Sequence, residues 1–219
     1  MVGPYYTYAQ IQEYSTCAAC QIATTPSNTP TQTPSNTPTP TRTPAAITAT
    51  LTLSNYNGVN ISCNGGSDGS ITITNITGGY GGPYQTKLGS GGTYQTFTTT
   101  RTYGSLPFGT YDVYVKDSAG REIIFTRTLT QPNALTIGTS TNTSSSITIS
   151  SYWGTGNRTY ELYQDFASPY QTGDGSIIST QSNIAENTNV TFSGLSSGYY
   201  WVKITDANGC TKNSTLYTL

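Results

Sequence analysis

Histidine is absent from this 219-residue chain, so Ser-His and Cys-His nucleophile pairs and imidazole metal sites are excluded. The acids are six Asp and four Glu, scattered along the sequence. Glu161 and Asp165 are the one close pair in a regular segment. Four residues apart on a strand they share a face, and a solvated edge is their expected role. Acid–base catalysis by two carboxylates needs a cleft and separated pKa values, and no neighbouring residues suggest one. The expectation is a chain with no enzymatic activity, no cofactor and no metal.

Four cysteines remain. Cys17-Ala-Ala-Cys20 has zinc-type spacing, but a four-thiolate site would have to recruit Cys63 and Cys210 across a flexible spacer. A redox pair needs a thioredoxin-like βαβ setting, which is missing. Cys17 and Cys20 suit structural packing, or a disulfide at a hairpin or between subunits. Cys63 and Cys210 are free to join between chains, and connectivity stays open. Asp117-Ser-Ala-Gly120 and Asp206-Ala-Asn-Gly209 resemble oxygen-ligand loops. Calcium takes six or more oxygens and nearby carboxylates are too few. Asp caps and Gly with positive φ build tight turns, the role expected here. The N-x-[ST] sequons are as frequent as chance allows in so Asn-, Ser- and Thr-rich a chain, and carry no argument for glycosylation.

Exposed aromatics are the best lead to a binding function. If Tyr111, Val113 and Val115 face inward, then Tyr114 points outward. The same parity puts Trp201 on an outer face. Tyr152, Trp153 and Tyr170 fall near expected turns or an inserted loop. Flat aromatics on a polar β surface suit sugar rings or a protein partner. The alternative for the tryptophans is cover by the insertion or by a neighbouring subunit.

These residues must be held by strands. Tyr (18) far outnumbers Phe (5), only 9% of residues are charged, and helix formers are scarce, a balance that favours strands and Gly-rich turns. A net charge of −1 with no basic stripe argues against nucleic-acid binding. No apolar run reaches membrane-spanning length. The opening MVGPYYTYAQIQEY lacks the basic and apolar regions of a secretory signal. It suggests synthesis in a cytosol and release by lysis, as for a virion component.

Residues 1–23 alternate aromatic and polar positions, with Tyr5, Tyr6, Tyr8, Ile11 and Tyr14. They are expected to form a short β docking segment whose tyrosines need another surface to cover them. Residues 24–44 repeat Thr and Pro, a composition that prevents helix and sheet. Fully extended as polyproline II, this linker would span roughly 60 Å. Beyond it the chain repeats itself. Tyr103 to Thr130 lies over Phe192 to Leu219 at a constant offset of 89 residues, while Gly69 to Leu88 lies over Ser145 to Gln164 at 76. The difference marks an insertion in the second copy, expected between Asp165 and Asn187. Ile71 and Ile73 alternate with Thr72 and Thr74, the period of a half-buried strand. Short strands at such spacing with Gly-rich turns predict two tandem immunoglobulin-like β-sandwiches, residues 45–132 and 133–219.

Ser62-Cys63-Asn64-Gly65-Gly66-Ser67-Asp68-Gly69-Ser70-Ile71, then Gly78-Gly79, Pro83-Tyr84, Leu106…Gly109-Thr110-Tyr111 and Asp117…Gly120 resemble the SprB-type repeat of bacterial surface adhesins. The resemblance implies an immunoglobulin-like adhesive or spacer module without catalysis, and supplies no ligand. Such repeats often pair an early cysteine with one after the late turn. Here module one has Cys63 but Arg121, and module two has Cys210 but no early partner, so no within-module pair is available. Docking segment, tether and modules together resemble a tailed-phage fibre or decoration protein. The expected partners are other virion proteins through the N-terminal segment, a host surface glycan or protein, and further copies of the chain. The expected place is the virion, with the bacterial cell surface as the alternative; the alternative functions are a bacterial cell-surface adhesin fragment and a carbohydrate-binding module serving an absent enzyme.

Overall fold

Alternation of β-branched and polar residues dictates the framework. The computed structural model describes residues 43–166 and 169–219. The docking segment with Tyr5, Tyr6, Tyr8, Ile11 and Tyr14, the Cys17/Cys20 pair, and the linker through residue 42 lie outside the described residues.

Module one holds β1 (Thr48–Leu53), β2 (Gly69–Thr77), β3 (Gln85–Leu88), β4 (Gln95–Thr96), β5 (Thr100–Leu106), β6 (Gly109–Lys116) and β7 (Glu122–Leu129). They form two antiparallel sheets, ordered β1-β2-β5 and β4-β3-β6-β7. Module two repeats the plan with β8 (Thr136–Asn142), β9 (Ser146–Tyr152), β10 (Arg158–Asp165), β11 (Ser176–Ile184), β12 (Val190–Ser193), β13 (Tyr199–Thr205), β14 (Thr211–Asn213) and β15 (Tyr217–Thr218). Its sheets run β12-β9-β8 and β11-β10-β13-β14, with β15 also on β13. Each module is an immunoglobulin-like sandwich. The fourth strand joins the sheet of the third, sixth and seventh, whereas in a constant-type domain it would extend the first-strand sheet.

Each sandwich buries its own inner faces. Ile71, Ile73, Val113, Val115 and Leu129 form the centre of one core, and Ile147, Ile149, Leu162, Val202 and Ile204 the other. No residue belongs to both cores. The sixth strand of each module begins with a tyrosine corner, in which Tyr111 Oη donates to the Pro107 carbonyl (2.8 Å) and Tyr200 Oη to that of Ser196 (3.0 Å). This is the same bond one repeat apart, a feature of immunoglobulin-like sandwiches.

The cysteine pairing left open by the sequence is settled across the modules: Cys63 and Cys210 form a disulfide with Cα atoms 5.6 Å apart. An intermolecular partner for either is thereby replaced by an internal one. Around it, Asn208 Nδ2 donates to the carbonyls of Tyr56 (3.2 Å) and Ser62 (3.0 Å), and Asn57 Nδ2 donates to Asn208 Oδ1 (2.6 Å). The linking residues are held as well, because Asn64 Nδ2 donates to the Pro132 carbonyl and Gly65 N–H to Gln131 Oε1. A covalent staple ringed by side chain-to-backbone bonds ties the two sandwiches into one compact unit.

Both Asp-x-x-Gly segments are turns. Asp117 Oδ1 accepts from the N–H groups of Ala119 and Arg121, and Oδ2 from Tyr80 N–H. Asp206 Oδ1 accepts from Asn208 and Cys210, and Oδ2 from Thr155. Both carboxylates are buried, and backbone donors fill the lone pairs that a cation would need. The Tyr80 N–H bond, followed by those of Arg121 and Ala119, holds the Asp117 carboxyl below the ordinary aspartate value.

Candidate functional site

The insertion in module two does the most to shape the surface. The stretch expected between Asp165 and Asn187 folds as the loop after β10 and as β11, which pairs along β10 from Gln164↔Ser176 to Arg158↔Ile184. Gly175 lets the loop turn back, since a Cβ there would lie 2.3 Å from the Gln164 carbonyl oxygen and φ is +94°. Asp165 Oδ2 accepts from Gln171 N–H, and Gln171 Nε2 donates to Asp174 Oδ2.

This loop takes Trp201 out of the exposed set and realises the alternative of cover by the insertion. Parity does put Trp201 on the outer face, opposite the core residues Tyr200 and Val202. The ring is nevertheless only 2% exposed. It stacks on Tyr163 at 4.1 Å, and its Nε1 donates to the Asp174 carbonyl at 2.6 Å. Trp201 is thus an anchor that pins the loop, because an indole buried by a loop must find an acceptor there. Beside it Lys203 Nζ lies 3.3 Å from Glu161 Oε2. The Glu161/Asp165 pair therefore divides into a surface ion pair and a loop clamp.

The pinned loop presents Tyr170, which stacks on Tyr199 at 3.8 Å with the ring planes 12° apart. Tyr170 is 40% exposed and Phe166 beside it 68%. The rings border an open cleft of about 370 Å³ at the end of module two away from the disulfide. Gln164, Asp165, Ser197 and Thr218 supply its polar side chains, beside Gly198 and Leu219, whose backbones pair with each other. A Cβ at Gly198 would lie 3.1 Å from Gln164 Nε2, so the missing side chain gives that amide its room. No Lys or Arg lines the cleft. The sequence reading missed Phe166, Tyr199 and Gln164. The signal was there in part: the Tyr199-Tyr200-Trp201 run puts aromatics on both sheet faces, and Phe166 opens the insertion.

The other expected surface aromatics fall elsewhere. Tyr114 lies on the outer face of module one, half-buried among charged side chains. Lys87 Nζ sits 4.6 Å from the Tyr114 ring and 4.7 Å from that of Tyr94, and Lys116 Nζ is 4.2 Å from Tyr94. Tyr94 Oη donates to Glu122, and burial first, then that carboxylate, pushes the phenol's pKa up. Tyr152 is half-buried at the end of β9, with room left for its ring by Gly138, whose Cβ would come within 2.9 Å of it. Trp153 packs edge-on against Tyr152 at 5.2 Å and is 50% exposed. Its backbone adopts φ +61°, costly for a bulky residue. Glu186 accepts from its N–H, and buried Arg158, 3.9 Å from Glu186, donates to its carbonyl. The five aromatics thus occupy three separate places: Tyr114 alone, Tyr152 with Trp153, and Tyr170 with Trp201 at the inserted loop. Among the described residues, no group of three or more Cys, Asp or Glu side chains is placed to hold a metal ion.

No protein-family model matches this chain, and no curated protein matches it. Similar solved structures include the human OSCAR ligand-binding domain, 10% identical over 78% of this chain and 97% of that one, with a TM-score of 0.31. The first two immunoglobulin domains of DIP-gamma are 9% identical over 77% and 96%, with a TM-score of 0.32. The Yersinia pseudotuberculosis adhesin InvE is 15% identical over 80% of this chain and 60% of its own, with a TM-score of 0.28. These superpositions are too loose to argue from, and the immunoglobulin-like assignment stands on strand order, the two cores and the paired tyrosine corners.

Proposed function

We propose that the chain is a non-enzymatic display protein, a fibre, neck or capsid-decoration component of a tailed-phage virion. Residues 1–23 dock on other virion proteins and residues 24–44 act as a tether. The stapled modules then make weak, multivalent contact with a host surface glycan or protein. Many copies, in a homo-oligomer or across a particle, convert low affinity into useful avidity. The observation that carries this reading is the combination of a covalently locked two-module unit with an aromatic cleft at one end of it. Chain crosses into module one at the end opposite the junction, where Ala45 meets Gly79 and Arg121. Within the described residues, Ala45 and the cleft each lie at the end of their module away from the disulfide. The disulfide supports work outside a reducing cytosol, where such bonds persist.

A second reading, a bacterial cell-surface adhesin fragment, is favoured by the SprB-like run from Ser62 to Ile71. The two separate by mass spectrometry on density-purified particles and on cell-envelope fractions of a lysing culture. The chain co-banding with particles is the expected result. Recovery only in the envelope, within a longer polypeptide, would sink the virion reading and leave the adhesin.

A further inference from the structure

The geometry points to the cleft of module two as a binding site for a neutral pyranose, the terminal or internal sugar of an uncharged glycan. This rests on the adhesive reading above and gives it a ligand class. Three features of the cleft converge on that chemistry.

The first is the platform. Tyr170 and Tyr199 lie parallel, each covering one face of the other, and the 40% exposure of Tyr170 leaves ring surface open to solvent. A flat, open aromatic face matches the apolar C–H face of a pyranose. Phe166, 68% exposed, adds a second apolar ring beside it at the cleft. The second is the polar rim. A sugar carries its hydroxyls around the edge of the ring; Gln164 and Thr218 offer donors and acceptors around the cleft, and Ser197 Oγ, whose proton goes to the Leu219 carbonyl, offers an acceptor. A volume of about 370 Å³ falls in the range of roughly 300 Å³ upward that small-ligand sites occupy. The third is charge. The side chains lining the cleft include one carboxylate, Asp165, and no cation. Asp165 is occupied in clamping the loop through Gln171 N–H. Uronates, sulfates and phosphates would find no counter-charge there, whereas a neutral ring loses nothing.

The site is also prefabricated. Tyr170 is carried by a loop that turns at Gly173 and Gly175 and is held by two side chain-to-backbone bonds, Gln171 N–H to Asp165 Oδ2 and Trp201 Nε1 to the Asp174 carbonyl, so little ordering is required on binding. The same loop is absent from module one, where β3 and β4 are joined by a short turn. Module one therefore serves as an internal control with the same fold and no aromatic cleft: its open pocket of about 440 Å³ is lined by Pro83, Gln85 and the Lys116–Gly120 turn, with no aromatic ring.

The test uses the whole chain and saturation-transfer NMR with methyl glycosides of glucose, galactose, mannose and N-acetylglucosamine. Glucuronic acid and a peptide of residues 24–44 are the competitors of other chemistry. At least one neutral glycoside should saturate, with its ring C–H protons receiving the largest transfer. Tyr170→Ala should weaken that binding about tenfold or more, and Phe166→Ala should weaken it less. Trp153→Ala and Tyr114→Ala should leave it unchanged. Thermal melts of each variant separate lost binding from lost folding, and Phe166→Ala, at a wholly peripheral ring, keeps the test decisive if Tyr170→Ala unfolds the loop. No saturation by any neutral glycoside, equal saturation by glucuronic acid, preference for the proline-rich peptide, or indifference to both variants would each overturn the site. Binding of the whole chain to host cells reads the adhesive function independently. If cells are bound and glycosides are not, the cleft assignment fails alone. If glycosides are bound and cells are not, the adhesive reading fails alone.

Discussion

Asp117-Ser-Ala-Gly120-Arg121 and Asp206-Ala-Asn-Gly209-Cys210 are the same turn with opposite employment. In both, one carboxylate oxygen caps the turn and the other reaches a loop of the same module. In module two, Asn stands where module one has Ala119, and Cys stands where it has Arg121. Those two changes convert a free turn into half of a junction, supplying the amide that bonds Tyr56 and Ser62 and the sulfur that bonds Cys63. In module one the Arg121 guanidinium instead reaches the Ala45 carbonyl at 3.5 Å, where the chain comes into the sandwich. The lesson is that the early and late cysteines of this repeat lie at opposite ends of one sandwich. They meet only when one module's late turn lands on the previous module's early loop.

Removing the staple should produce the largest effect. The disulfide closes a separation of 147 residues, for which chain entropy alone gives about 5 kcal/mol. A Cys63→Ser/Cys210→Ser variant should lose roughly that much stability for the whole unit, measured by denaturant titration. It should keep two folded sandwiches, since no core residue is shared, and show a broader spread of module orientations by small-angle scattering. A compact, unchanged scattering profile would mean that the Asn208 bonds suffice as a junction.

Next in size is the difference that the insertion makes. Trp201→Ala should destabilise module two by about 3–5 kcal/mol and free its loop, seen as rapid amide exchange around Asp174. The residue one repeat earlier is Asp112, on the same outer face and partly exposed. Asp112→Ala, which loses the exposed bond from Thr126 Oγ1 (2.6 Å), should cost only about 1 kcal/mol. Similar losses at both positions would show that the loop is not pinned by the indole.

The tyrosine corners sharpen the likeness instead. Tyr111→Phe and Tyr200→Phe each remove one hydroxyl bond to a backbone carbonyl four residues upstream, and each should cost about 1 kcal/mol by thermal melting. The smallest effect is acid sensitivity. Because the Asp117 carboxyl titrates below 3.8 in the folded state, the unfolded chain binds more protons in that range. Stability is therefore full above about pH 4 and falls as pH drops through the folded value. Asp117→Asn should flatten that part of the stability–pH curve, and an unchanged slope would assign the sensitivity elsewhere.

Much of this was legible in the residues. Ile71, Ile73, Val113 and Val115 alternate with polar neighbours, and period-two alternation leaves one packing solution for a sheet with one wet face. The offset repeat implied two sandwiches because each motif recurs in order. Trp201 shows where that reasoning stops. Its parity placed it outside correctly, but burial depends on what lies above a sheet, and that was a loop with no period to read. Tyr199, Phe166 and Gln164 escaped for the same reason, since a cleft is made by side chains far apart in sequence.

Local patterning, then, determined the all-β class, the duplication, the two Asp turns and the site of the insertion, because each rests on neighbours within a few residues. Tertiary structure alone decided the Cys63–Cys210 pairing, the cover over Trp201 and the meeting of Tyr170 with Tyr199. Those depend on how one packed body docks against another part of the chain, and the distance between such parts is set by the fold rather than by their spacing in sequence.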